Sequence, residues 1–214
     1  MAEPPLNRGP RLTLRRLLGL DRSGPPPSQT RAGQPLRPWT IPNAIGFARL
    51  ALLPVFLVVA LSSSSGEGAA IAILFALIAA GDYADGISAR VTGQYSRLGA
   101  LMDPVTDRLL VISGVVVTWR FDLLPRWALA LLAARELLML ALGRYAQRRH
   151  IELQINWPGR VAVAPVMGAF FFAMAGLGGV GEVLLYCGIA LAFVATGMYI
   201  AAGLEQLRAP SANP

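Results

Sequence analysis

Six apolar stretches, each close to the length that crosses a bilayer, leave this chain little choice of fold. They run at about residues 43–62, 68–90, 99–119, 125–147, 158–178 and 181–204. A hydrocarbon core about 30 Å thick takes roughly 20 residues of helix. Only 14% of the 214 residues are charged and 55% are hydrophobic, against about 25% charged in an ordinary soluble domain. The expectation is an all-α integral membrane bundle of six transmembrane helices, spanning residues 39–205. No stretch on either side is long enough for a soluble domain, so any chemistry belongs to the bundle itself.

Arginine placement sets the orientation. All 19 basic residues are Arg. Arg90 and Arg97 between the second and third stretches, Arg144, Arg148, Arg149 and Arg160 between the fourth and fifth, and Arg208 at the end fall on one side. Arg120 and Arg126 fall on the other. Cationic loops stay cytoplasmic, so both termini are expected to face the cytoplasm, in a multi-pass protein of the cytoplasmic (inner) membrane. Residues 1–38 are rich in Pro, Gly and Arg and read as a mobile tail. Within it residues 12–20 (LTLRRLLGL) suit a short interfacial helix, and 206–214 form a second tail. Arg15-Arg16 is followed by no apolar core, which argues against a twin-arginine export signal. The net charge of +7 points to anionic lipid or phosphate partners and not to nucleic acid, because the arginines adjoin apolar runs. Cys187 is the one cysteine; it lies inside an apolar stretch and reads as a packing residue.

Acidic side chains inside membrane helices are costly and by default functional. Four stand close together: Asp82 and Asp85 in GDYADGISAR, and Asp103 and Asp107 in GALMDPVTDR. Each pair falls on one helical face. A short loop joins the two helices, so they pack as antiparallel neighbours and bring the pairs to similar depth near the cytoplasmic side. Four carboxylates do not remain ionised together without compensation. Protonation, as in a proton relay, is one answer; a hard divalent cation with all-oxygen ligands is another. Simple ion pairs with Arg90, Arg97 and Arg108 are the structural alternative. Gly86, Ala89 and Gly99 clear space for a diphosphate or a second helix, and Arg90 offers a forked guanidinium to such an anion.

The run Asp82-x2-Asp85-Gly86-x2-Ala89-Arg90-x8-Gly99-x3-Asp103-x3-Asp107 resembles the signature of the CDP-alcohol phosphatidyltransferase family at every fixed position. The resemblance covers the six-helix region and not the tail. It implies that Asp82, Asp85, Asp103 and Asp107 bind two divalent metal ions, Mg²⁺ or Mn²⁺, and that Asp107 is also the general base on the acceptor hydroxyl. It further implies that Gly86, Arg90 and Ser96, with Pro42, Asn43, Ala44 and Ile45 at the start of the first helix, hold the CDP-lipid donor, and that the protein is a homodimer.

The acceptor is read from finer likeness. Thr40-Ile41-Pro42-Asn43 with Arg49 and Pro54, Asp103-Pro104, Ala134-Arg135-Glu136 and Trp157-Pro158-Gly159-Arg160 resemble the phosphatidylglycerophosphate and cardiolipin synthase branch. The expected reaction is phosphatidyl transfer from CDP-diacylglycerol to glycerol 3-phosphate, with Arg135, Arg144 and Arg160 as candidates for the acceptor phosphate. Phosphatidylglycerol is the alternative acceptor, giving cardiolipin. Departures are Gly46 where relatives often carry Thr, Gly143 where glycerophosphate enzymes often have Arg, and Ala162 where they tend to have Lys; the last leaves room for the bulkier lipid acceptor. Arg49, about two turns past Pro42, either snorkels or reaches the donor phosphates. His150 reads as a solvated loop residue, and Trp39, Trp119, Trp127 and Trp157 as interfacial anchors. An ion-coupled transporter is the rival class, but it would spread its acids through the bilayer and carry an internal repeat.

Overall fold

The computed structural model describes residues 28–30, 33–148 and 157–208. The expectations for residues 12–20 and for His150 lie outside them. Six α-helices follow in order: α1 (Ile41–Leu61), α2 (Ala69–Thr92), α3 (Arg97–Arg120), α4 (Arg126–Arg148), α5 (Trp157–Met174) and α6 (Gly178–Arg208). A single 3-10 turn, Ser28–Thr30, precedes them, and no strand occurs among the described residues. The helices fall on the six apolar stretches, with ends that differ by a few residues.

Three of them, α1, α2 and the Gly178–Ala201 part of α6, are long and apolar enough to cross a membrane, and Val161–Met174 of α5 is a shorter apolar helix. Their outward faces are apolar too: Val58, Leu77 and Val194 are each more than half exposed, which in water would be a liability and in lipid is the expected surface. The chain is a membrane protein. Helices α3 and α4 are as long, at 24 and 23 residues, but carry charges within their span: Asp103, Asp107 and Arg108 in one, Arg135 and Glu136 in the other.

Local chemistry sets the helix ends. Thr40 caps α1, its hydroxyl accepting from the Asn43 amide at 3.3 Å. Ser96 caps α3 in the same way, accepting from the Gly99 amide at 2.9 Å, as Ser and Thr do at N-caps. Helix α5 stops short of the predicted end because Gly176, at φ +82°, turns the chain into the left-handed region. The Leu177 amide then donates to the Phe172 carbonyl, closing the last turn in the manner of a Schellman motif.

The chain divides into two compact units. One comprises the described residues up to Leu53 with Leu77–Leu109: the start of α1, the end of α2 and the start of α3. The other comprises Pro54–Ala76 and everything from Leu110 onward. This second unit holds an aromatic core, with the Phe75 ring 5.6 Å from Phe56 and 6.0 Å from Phe170. Within it α5 packs along α6. A Cβ at Gly188 would stand 2.6 Å from a Val166 methyl and 3.1 Å from its amide nitrogen, so small residues let these two backbones approach closely. Ala162 is part of the same seam and is 4% exposed. The space expected from the missing Lys at this position is therefore taken up by helix packing.

Candidate functional site in the acid-bearing unit

The first unit gathers the residues that the sequence singled out. Asn43, in the first turn of α1, is buried and fully engaged. Its amide nitrogen donates to the carbonyls of Arg37 at 2.9 Å and Pro38 at 3.1 Å, and its oxygen accepts from the Ser96 hydroxyl at 2.8 Å. One side chain thus ties the segment entering α1 to the cap of α3. Gly99 makes this possible, since a Cβ there would lie 2.8 Å from the Asn43 oxygen and 3.2 Å from the Ser96 oxygen. The Ile41 amide donates to Gln94 Oε1 at 3.0 Å, which fastens the α2–α3 loop to the same helix end.

These residues border a cleft of about 180 Å³. Pro42, Asn43, Gly86, Arg90 and Ser96 line it, and so do Asp85 and Asp103. Five of the seven expected donor contacts therefore share one cleft; Ala44 and Ile45 do not line it. Arg90 folds back over Gly86, with both terminal guanidinium nitrogens 3.4 Å from the position of a Cβ at that glycine. The missing Thr at position 46 also has a physical partner: the Met102 methyl fills that space, 2.4 Å from where a Cβ would stand.

Next to the cleft lies the acid cluster, and at its centre is a cation. Arg49 of α1 donates through Nη1 to Asp82 Oδ1 at 3.2 Å and Asp85 Oδ2 at 2.9 Å, and through Nη2 to Asp107 Oδ1 at 2.9 Å. Its Nε donates to the Ile78 carbonyl at 3.0 Å. The two acid-bearing helices therefore face one another, and three carboxylates converge on a single guanidinium. Asp103, the fourth, lies outside this fork on the cleft wall. Arg49 is 2% exposed, and the Asp85 side chain is nearly as buried at 7%. Asp82 and Asp107 are open to their surroundings at 45% and 49%.

Simple ion pairing would make Arg90, Arg97 and Arg108 partners of these acids. Arg97 instead donates to the Gln34 carbonyl and Arg108 is exposed; the cation that binds three of the acids is Arg49. Among the described residues no three acidic, histidine or cysteine side chains are gathered as a ready-made metal cage. The donor set is nonetheless all-oxygen, which suits hard divalent cations. One guanidinium also cannot balance four carboxylates, so further positive charge is favoured there. Sequence reasoning left Arg49 undecided and overlooked Gly81, whose missing side chain admits the Arg49 stem. A signal was present: an Arg inside a 21-residue apolar helix calls for a polar or acidic partner.

Of the acceptor candidates, Arg135 donates to Thr196 Oγ1 at 3.1 Å and to the Ala192 carbonyl at 3.5 Å, and pairs with Glu136. It links α4 to α6 within the second unit. Arg144 is exposed, and the Arg160 side chain lies outside the described residues.

Known proteins match this chain in sequence. The family described as CDP-alcohol phosphatidyltransferase matches residues 39–194. A cardiolipin synthase (CMP-forming) of Streptomyces coelicolor is 37% identical over 77% of this chain and 80% of its own. A putative cardiolipin synthase of Mycobacterium tuberculosis (strain ATCC 25618 / H37Rv) is 35% identical over 75% of this chain and 76% of its own. A CDP-diacylglycerol–glycerol-3-phosphate 3-phosphatidyltransferase of Escherichia coli (strain K12) is 31% identical over 82% of this chain and 97% of its own.

Proposed function

For this chain, which belongs to the CDP-alcohol phosphatidyltransferase family, we propose phosphatidyl transfer from CDP-diacylglycerol to the primary hydroxyl of a glycerol phosphate unit, with release of CMP. It is a phosphatidyltransferase of phospholipid biosynthesis; the donor, the acceptor and the residue roles are the proposal. The observation that carries it is the convergence of Asp82, Asp85 and Asp107 on one point beside a cleft walled by Asn43, Gly86, Arg90, Ser96 and Asp103.

The acceptor oxygen attacks the lipid-side phosphorus, and the bond from that phosphorus to the CMP oxygen breaks. Asp107, half exposed, takes the hydroxyl proton as general base. Arg90 meets the donor phosphates with its guanidinium, and Asn43, Gly86 and Ser96 form the nucleotide end of the cleft. Two divalent ions, Mg²⁺ or Mn²⁺, held by Asp82, Asp85, Asp103 and Asp107, would supply charge to offset the diphosphate and stabilise the leaving group. Lipid chains remain in the bilayer while the head group enters between helices. The catalytic region is residues 39–205, folded as six spans with both termini and the acids on the cytoplasmic side of the inner membrane. Two copies form the working unit.

Two acceptors carry the required hydroxyl. Glycerol 3-phosphate is the one expected from Asp103-Pro104 and from Arg135, Arg144 and Arg160, and it is named in the relative from E. coli. Phosphatidylglycerol, which gives cardiolipin, is favoured by a specific observation: the relatives named cardiolipin synthase are 35–37% identical, against 31% for those named after glycerol 3-phosphate. The rival transporter reading has no comparable support.

Purified protein given CDP-diacylglycerol, Mg²⁺ or Mn²⁺ and each acceptor separately should release CMP with one of them. The mass of the lipid product identifies which. Absence of CMP with both would end this reading. Asp107→Asn should lower turnover by at least about a hundredfold, the lower range for a general base, while CDP-lipid binding persists; retained turnover would remove Asp107 from that role.

A further inference from the structure

Arg49 does more than cancel charge. Its stem lies in a slot made by Gly81, where a Cβ would stand 2.7 Å from both its Cγ and its Cδ. Its Nε is anchored on the Ile78 carbonyl, one turn before Asp82. From that base the planar fork reaches Asp82 and Asp85 with one nitrogen and Asp107 with the other. Each contact uses one carboxylate oxygen: Oδ1 of Asp82, Oδ2 of Asp85 and Oδ1 of Asp107. The second oxygen of each lies outside the Arg49 fork. A guanidinium is rigid and directional in a way that an ammonium is not, so it fixes where those second oxygens point.

We infer that Arg49 is a positioning residue of the acid cluster: by holding one oxygen of Asp82, Asp85 and Asp107, it sets the spacing at which the others meet a divalent ion. The inference rests on the proposed function, in which these acids are metal ligands. Groups that hydrogen-bond to ligands orient them, and their loss typically costs 10–100-fold in metal affinity. The stem in its slot and the Nε anchor mark Arg49 as a built-in part of the cluster, one that stays when an ion enters.

The test is Mn²⁺ binding to the full chain in detergent, followed through the electron paramagnetic resonance signal of free Mn²⁺. Wild-type protein should bind. Arg49→Met, which removes the charge and the fork, and Arg49→Lys, which keeps only the charge, should each raise the dissociation constant at least about tenfold. Gly81→Ala, which keeps Arg49 but narrows its slot, should weaken binding in the same direction. Unchanged or tighter binding by Arg49→Met overturns the inference, and tighter binding would show that the guanidinium competes with the ion. Wild-type affinity in Arg49→Lys with weakened Arg49→Met also overturns it, because charge alone would then suffice. If wild-type protein binds no Mn²⁺, the metal reading of the acids fails and this inference with it. A Mn²⁺-loaded structure of the wild type gives an answer even where the variants do not fold: Arg49 should still bridge the three aspartates, and a guanidinium swung away from them would refute the positioning role.

Discussion

Asn43 illustrates how much a single side chain settles at the residue scale. It satisfies two carbonyls of the segment entering α1 and accepts from the hydroxyl that caps α3. Asn43→Ala leaves buried polar partners unpaired, which costs about 1–3 kcal/mol. The expected result is a lower unfolding midpoint in detergent together with weaker CDP-lipid binding, measured by thermal denaturation with and without the nucleotide lipid. Gly99→Ala should act through the same contact, because its Cβ enters the space of the Asn43 oxygen. Ser96 was expected at the nucleotide from family likeness alone. In the structure it caps α3 and donates to Asn43.

At the scale of elements, helices that carry charge inside their span are held by contacts with other helices. In the first unit α1 contributes Arg49 to acids of α2 and α3. In the second, Arg135 of α4 is satisfied by Thr196 and a carbonyl of α6. The α5–α6 seam depends on small residues and not on charge. Gly188→Ala would press a methyl against the Val166 side chain and backbone, and overpacking of this kind costs about 1–3 kcal/mol. Thermal unfolding of the detergent-solubilised protein should show that loss, with the Mn²⁺ affinity of the acid cluster unchanged. A matching loss of metal affinity would mean that the seam and the cluster are coupled.

For the whole molecule, the central question is which side of the membrane holds the acids. The arginine bias predicts the α2–α3 loop inside and the α1–α2 loop outside. Cys187 is the only native cysteine, so a Cys187→Ser background accepts single reporters. Cysteine at Gln94 should be shielded from an impermeant thiol reagent in intact cells, and cysteine at Ser64 should be labelled. The reverse pattern would turn the topology over and place the cluster on the opposite face from the one proposed. Six helices were legible in the apolar runs because burial in lipid demands long uninterrupted stretches. Their charged members, α3 and α4, were legible as helices but do not declare themselves as spans by composition, since each carries charged residues within its length.

Sequence alone determined the six helices of the described residues, the faces on which the aspartates sit and the small residues between them, because spacing along a helix dictates which side chains share a face. It also determined the family, since the signature combines charge, glycine and spacing at every fixed position. Tertiary structure decided who meets whom across helices: Arg49 as the common partner of three acids, Gly81 as its slot, Met102 in the place of a Thr at position 46, and the α5–α6 seam closing over Ala162. Those pairings depend on the relative rotation and depth of neighbouring helices. Both follow from the packing of many side chains at once, which no local spacing encodes.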